Sequence, residues 1–384
     1  MSQPNSDKPR VLPVAVPLFR DLFVITDPGR DQDDEDVLTM LNRMIRLEIL
    51  RVMGVIANLA PSSMRARLAK GTLKQLGQPD IAVGIGSACQ QTDDDGLDYQ
   101  FAVSYLAEHD SVVDGKELIY NTLKEARPKS IVLLLISGLT DAAAVLREHH
   151  YLFNMAVRRV VIMGGVEVEG DRPKLDAEGR MLPDMTAQNH SFDKEATAFL
   201  YKQLQDMNIP ITVFTRHAAA AAKVPRSIYD EMAATGHPVG IRLLAAQKKA
   251  IEEVWHRACL PADDSARQGL PARCDRNWFL NAFCGGQGQD RKPEDSIWDL
   301  IQTFMLYDPC TLVACLPDLR EHFYASCVVE VHGVEHMVIG VNPKVHNVRA
   351  PEELAAFLKN MMVESLNQSL QAAEEEAAAA RKVA

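Results

Sequence analysis

The run Asp27-Pro-Gly-Arg-Asp31-Gln-Asp33-Asp34-Glu35 crowds five acidic side chains into nine residues. It follows the apolar stretch Leu22-Phe23-Val24-Ile25. It precedes a helix-like pattern of apolar residues at Val37, Leu38, Leu41, Met44 and Ile45. A strand therefore ends in an acidic, glycine-containing turn and passes into a helix. Carboxylates gathered at one strand end repel each other, and a hard cation with oxygen ligands, Ca²⁺ or Mg²⁺, relieves this most simply. The competing reading is a solvated acidic loop whose Asp and Glu favour the helix N-terminus. The Pro-Gly turn and the preceding strand argue for a site. An EF-hand beginning at Asp31 is excluded, because Asp36 stands where that loop needs its glycine. A phosphatase built on a nucleophilic Asp wants a second Asp two residues on, and Gly29 occupies that place.

The elements that must position these groups alternate along the chain. Strand patterns cover Leu50 to Ala57, Ile81 to Ile85, Ile131 to Ile136, Arg159 to Met163 and Ile211 to Phe214. Helical patterns cover about Pro61 to Leu76, Lys116 to Ala126, Leu139 to Arg147 and Lys194 to Met207. Continuous aliphatic strands between helices predict an α/β fold with a mostly parallel central sheet flanked by helices. Ligands bind outside the carboxyl ends of such strands, where Asp27, Asn58, Ser137 and Gly164-Gly165 fall. Residues 166 to 188 read as a long loop. Residues 226 to 306 read as an extra, mainly helical segment, broken by a loop from about Pro261 to Arg276. Phe323 to His332 and His336 to Val341 predict a C-terminal β-hairpin with Gly333 in its turn. The organisation expected is an arm over 1–18, an α/β domain over 19–345, and a C-terminal helix with an Ala- and Glu-rich tail over 346–384. No internal repeat is visible.

With 384 residues, 47% of them apolar, the chain is long enough for a sizeable core. A net charge of −11 gives no basic footprint for nucleic acid or an anionic membrane. The seven cysteines contain no CxxC pair, so neither a zinc site nor a disulfide framework is indicated. They read as small buried hydrophobes in a reduced compartment. The N-terminus is polar with no apolar signal core, and no run is long enough to span a bilayer. A cytoplasmic location is expected.

Several blocks stand in order: TDPGRDQDDED, GVIAN, ISGLTDAA followed by RRVVIMGG, AQNHSFDKEA and LYDPCTLVAC. Together they resemble the calcium-dependent nucleoside hydrolases of the inosine-uridine type, over about residues 21 to 345. Each block falls at an expected strand end. The resemblance implies a Rossmann-related sheet and Ca²⁺-dependent hydrolysis of the N-glycosidic bond of a ribonucleoside or related N-riboside. It further implies a role in purine or pyrimidine salvage and a homo-oligomer, dimer or tetramer.

The resemblance also implies residue roles. Asp27 is a metal ligand and the general base, and Asn189 stands with it among the catalytic residues. Asp34 and Asp308 bind the metal, with Asp31 competing for the place of Asp34. The Ile136 carbonyl completes the shell. Asp33, Asn58 and Asn189 contact ribose hydroxyls. A turn residue is the alternative for Asn58, and a helix N-cap before Thr311 is a competing role for Asp308. The chain departs from the pattern on the base and 5′ side. Ala187 replaces a Glu, Gln188 an aromatic residue, and Tyr307 the His that serves as leaving-group acid. Asp184 or Gln188 is expected to read the 5′ side. Tyr307 is a hydrogen-bond donor but a poor acid. Trp278 stacks on the leaving base, with Arg273 or Asp275 beside it, or else packs a helix as Trp255 and Trp298 do. Loss of both the Glu and the His leaves a rival: a catalytically impaired Ca²⁺- and sugar-binding relative with a regulatory role. His217 and His256 receive no role.

Overall fold

The computed structural model describes residues 20–89, 101–267 and 270–383; the expected arm over 1–18 lies outside them. The strands are β1 (Arg20–Thr26), β2 (Leu50–Ala57), β3 (Val83–Ile85), β4 (Val113–Asp114), β5 (Ile131–Leu135), β6 (Val157–Gly164), β7 (Val168–Glu169), β8 (Arg172–Pro173), β9 (Ile211–Thr215), β10 (Lys223–Pro225), β11 (Thr303–Met305), β12 (Cys327–Val331) and β13 (Val334–Ile339). Nine of them form one sheet in the order β12-β13-β9-β6-β5-β1-β2-β3-β4. Every pairing in it is parallel except β12 with β13.

The aliphatic runs explain this burial. Leu22 and Val24 enter one core while Phe23 and Ile25 enter the other. Val132 and Leu134 likewise oppose Ile131, Leu133 and Leu135. A strand buried on both faces needs apolar residues at successive positions, so no polar alternation remains. Helices Gly115–Glu125, Thr140–Glu148, His150–Ala156 and Lys194–Asp206 cover one face. Helices Asp33–Arg46, Ser62–Gln75 and Pro238–Cys259 pack with the rest on the other.

Three expectations need correction. Residues 166 to 188 are not simply a loop: β7 and β8 pair antiparallel, extended by bridges Val166 to Pro183 and Leu175 to Met181. Residues 226 to 306 include β11, which pairs with β10 from before that segment. The C-terminal hairpin starts at Cys327, because Phe323 ends helix Pro317–Phe323. Its second strand adds in parallel to β9, so the hairpin is the edge of the main sheet.

Helix Pro351–Val383 buries Leu354, Leu358, Met362 and Leu366, one face at i, i+4 spacing, in the same core as helix Asp33–Arg46. The Asn42 Nδ2 ties the two by donating to Ser365 Oγ at 2.8 Å and Ser369 Oγ at 3.1 Å. Beyond Gln371 this helix is mostly exposed. Among the described residues, no helix is long and apolar enough to cross a membrane.

Helix Ser62–Gln75 carries Gly71 against the loop that follows residue 100. A Cβ there would stand 2.1 Å from the Tyr105 carbonyl oxygen. Alanine gains about 1 kcal/mol of helix preference over glycine. Overpacking against a backbone atom costs about 1–3 kcal/mol or more. Gly71→Ala is therefore expected to destabilise the chain despite the better helix former. Urea unfolding measures this, and a variant as stable as the parent would refute the close approach.

Candidate active site

The site forms at the carboxyl ends of the central strands. β1 ends at Thr26, and Asp27-Pro28-Gly29 turns the chain toward helix Asp33–Arg46. Gly29 has φ +131°, a conformation that side chains disfavour, and a Cβ there would also meet the Phe101 ring at 3.0 Å. The turn thus requires glycine. Arg65 is buried beneath it and donates to the carbonyls of Asp27, Pro28 and Ala60. Its Nη1 lies 3.8 Å from the Asp27 carboxylate.

The helix opens with four buried acids, Asp33, Asp34, Glu35 and Asp36. The helix dipole favours acids here, but its effect is modest beside the cost of burying four. Helical rotation of about 100° per residue sends each to a different partner. Asp33 Oδ2 accepts from the Asp308 backbone N–H at 3.2 Å. Asp34 Oδ1 accepts from the Asp27 N–H at 2.8 Å and from the Thr26 hydroxyl. Glu35 pairs with Arg242 at 2.6 Å and accepts from the Thr72 hydroxyl at 3.0 Å. Asp36 accepts from the Tyr229 hydroxyl at 2.9 Å.

Asp33, Asp34 and Asp308 then offer carboxylate oxygens that all lie within 4.8 Å of one another. Asp308 sits inside the first turn of helix Tyr307–Ala314, whose N-cap is Leu306. The N-cap role for Asp308 is therefore set aside. Burial, and then the charges of their neighbours, push Asp33, Asp34 and Asp308 well above the usual carboxylate range. Asp27 is pushed up to about 6, by burial working against the Arg65 charge and a Ser137 hydrogen bond. Asp31 is exposed at the rim. A buried, all-oxygen acidic group whose ionised forms oppose each other fits a hard divalent cation.

The neighbouring turns are held from below. The Asn58 Nδ2 donates to the Gly138 carbonyl at 2.9 Å and to Asp141 at 2.8 Å, while its Oδ1 accepts from the Ser137 hydroxyl at 2.5 Å. Asn58 thus locks the β2 and β5 ends together and reaches Asp27 through Ser137. Ile136, directly after β5, donates its N–H to the Ile25 carbonyl at 2.9 Å. Helix Gln188–Ser191 is pinned to β6 by Asn189, whose Nδ2 donates to the Met163 carbonyl at 3.2 Å. Gln188 itself is exposed. Asp184 accepts from the Thr186 N–H and hydroxyl and pairs with Arg216 at 3.3 Å. Burial pushes its carboxyl up, but those hydrogen bonds and the Arg216 charge outweigh it and leave it below the usual range.

The chain is matched over residues 22–354 by the family model described as inosine-uridine preferring nucleoside hydrolase. The chain belongs to that family. No curated protein matches it. Among solved structures, it is 29% identical to the type III effector protein XopQ, solved in complex with adenosine diphosphate ribose. That match has a TM-score of 0.76 and covers 91% of this chain and 94% of XopQ. The effector protein XOO4466 is 28% identical, with a TM-score of 0.74 and the same coverage of 91% and 94%. The inosine-uridine preferring nucleoside hydrolase of Bacillus anthracis, at 15% identity and TM-score 0.53 over 89% of this chain and 100% of that one, shares the fold.

The structure places Asp33, expected at the ribose, beside Asp34 and Asp308, with a carboxylate oxygen within 4.8 Å of theirs. Tyr307 adjoins that group. Burial and the Asp31 and Asp33 charges push its phenol above the ordinary range, which suits a hydrogen-bond donor and makes a poor acid. Trp278 sits edge-to-face on Phe283 at 5.5 Å, partly buried, and Asp275 caps its helix by accepting from the Trp278 N–H at 2.8 Å. Among the described residues, no hydrogen bond or ring contact joins Trp278 to the carboxylates.

Sequence reasoning missed Arg65 and His190, and placed Ser137 at a strand end without giving it a role. His190 is fully buried and pushed down to about 4 by that burial, so it is neutral. Its Nδ1 lies 2.9 Å from the Asp184 carbonyl and its Nε2 3.3 Å from the Tyr201 hydroxyl. It braces the turn that carries Asn189. Its place inside the AQNHSF block was the available signal.

Proposed function

We propose that the chain hydrolyses the N-glycosidic bond of a ribonucleoside or related N-riboside, with calcium bound at the carboxylates. The observation that carries this reading is the buried group of Asp33, Asp34 and Asp308 beside Asp27, at the carboxyl ends of the sheet in a chain of this family. Asp27 and the Ile136 carbonyl would complete the ion's shell. The bound ion would supply acidity to a water and a grip on the 2′ and 3′ hydroxyls. Asp27 would take the proton from a water that adds to the anomeric carbon as the C–N bond breaks, and the base would leave with the electron pair and be protonated by solvent. Ser137 and Asn58 hold Asp27 in place, and Asp33 and Asn189 meet the sugar hydroxyls. Tyr307 and Trp278 face the leaving base, with no strong acid among them. The reading includes a cytoplasmic salvage enzyme working as a homodimer or tetramer.

A panel of ribosides, scored for free base and reducing sugar with and without chelator, tests the proposal. Chelator-sensitive release supports it. Because the site reads both sugar hydroxyls, 2′-deoxyribosides should react slower by about 10² or more, since a buried polar group left unpaired costs several kcal/mol. Equal rates on the two would sink that assignment. The effector neighbours and the replacements at Ala187 and Tyr307 favour a second reading, a sugar-binding relative without turnover. Riboside binding with no product over long incubation would select it.

A further inference from the structure

We propose that the site extends along the sheet edge into a subsite for a phosphate ester on the ribose 5′ carbon, built on Arg216 and Arg273. The inference rests on the N-riboside reading above and deepens it. The strand ends that bear the site lie side by side in the order β9, β6, β5, β1. They carry Arg216, Gly165, Ser137 and Asp27 respectively, each directly after its strand or one residue on. Neighbouring strands stand about 4.8 Å apart, so the line from Asp27 to Arg216 crosses three such steps. A ribose with its vicinal hydroxyls at the carboxylates and Asn189 on its ring points its 5′ carbon along that line, over the ends of β6 and β9.

The groups waiting there suit an anion. Ala187 is buried and brings no charge. A side chain on Gly165 would meet Asp184 Cβ at 3.0 Å and Ala187 Cβ at 3.4 Å, so both residues close around this strand end. The Asp275 carboxylate caps its helix by accepting from the Trp278 N–H, and Asp184 is already engaged by Thr186. Arg216 touches it through Nη1 alone at 3.3 Å and is 39% exposed, which leaves guanidinium N–H groups free for a ligand. Arg273 is exposed, with no ion pair among the described residues. The charges of both arginines reach the half-buried His217 and the buried Cys274. Arg216 also reaches Tyr307, which borders the carboxylate group. Both guanidinium charges therefore bear on the same two side chains, beside the end of β9. A neutral 5′ hydroxyl has no use for them, whereas a phosphate accepts paired N–H bonds from an arginine fork.

The test uses the full chain with calcium present. Binding of ribose 5-phosphate and of ribose is compared by calorimetry, which needs neither a base nor turnover. Release of base from adenosine, adenosine 5′-monophosphate and adenosine 3′-monophosphate is followed beside it. The expected result is a preference of about tenfold or more for the 5′ ester over the unphosphorylated partner, in binding and in kcat/KM, with no gain from the 3′ ester. Arg216→Gln should collapse that ratio, Arg216→Lys should restore part of it, and Arg273→Gln should reduce it less. Equal binding of ribose and ribose 5-phosphate would overturn the phosphate subsite and leave the N-riboside reading standing. So would an unchanged ratio in Arg216→Gln. If neither sugar binds, both fall together.

Discussion

Asp27→Asn is expected to abolish base release while leaving the fold intact or slightly firmer. On the proposed reading the substitution removes the proton acceptor and one ligand oxygen together. Loss of a positioned base alone costs about 10²–10⁴ in rate, and a lost metal contact adds to that. Stability should move the other way. Burial holds the Asp27 carboxyl up near 6, above its ordinary value, so carrying its charge at neutral pH costs the folded chain stability. A neutral amide of the same shape escapes that cost and still faces Ser137. Functional sites commonly hold such destabilising groups. Steady-state rates and a thermal melt on the same preparation check both halves. A variant that keeps a tenth of parental kcat/KM would remove Asp27 from the chemistry.

The second large effect concerns the cation. Stripped of divalent ions, the chain should lose stability as pH rises from about 4 to 8, and calcium should restore most of it at the upper end. The sign follows from the carboxyls. Each has a folded-state pKa above its ordinary value, so the folded chain binds more protons than the unfolded one in the window between them. Stability is full below the ordinary value near 3.8 and falls as pH climbs through about 6 for Asp27, and further for the others. For Asp27 alone a shift of about two units corresponds to roughly 3 kcal/mol. Asp33, Asp34 and Asp308 act in the same direction. A bound cation replaces the protons, so the loaded chain should show a flatter pH profile and a melting point that rises with calcium concentration. A chelated protein with a flat profile and no response to calcium would contradict the cation site.

Much of the architecture was legible because it is written in local pattern. The aliphatic runs marked strands buried on both faces, and β2 has the bounds that its residues announced, Leu50 to Ala57. The acidic turn was legible for the same reason: carboxylates at a strand end, beside a Pro-Gly turn, are a local fact. Short or polar pairings were not. β7 and β8 have two residues each and carry charged side chains, so no alternation marked them. The hairpin at Cys327–Ile339 was visible, but its addition to β9 joins residues more than a hundred apart, and no local pattern encodes that contact.

The same division runs through the site. Composition showed a crowd of acids but not which of them would meet. Helix phase turned Asp33 and Asp34 toward Asp308, and Glu35 and Asp36 away toward Arg242 and Tyr229. Asp31 was a rival ligand in sequence, and the turn left it exposed at the rim. Ser137 and His190 lie inside recognisable blocks that announce no role for them, and Arg65 lies in none, yet the three fix the Asp27 turn and the Asn189 turn. By itself the sequence determined the residue types, the strand runs and the order of the blocks, because each depends on neighbours along the chain. The tertiary structure alone decided which oxygens converge and which charges are answered, because burial and Coulomb forces act between groups that only folding brings together.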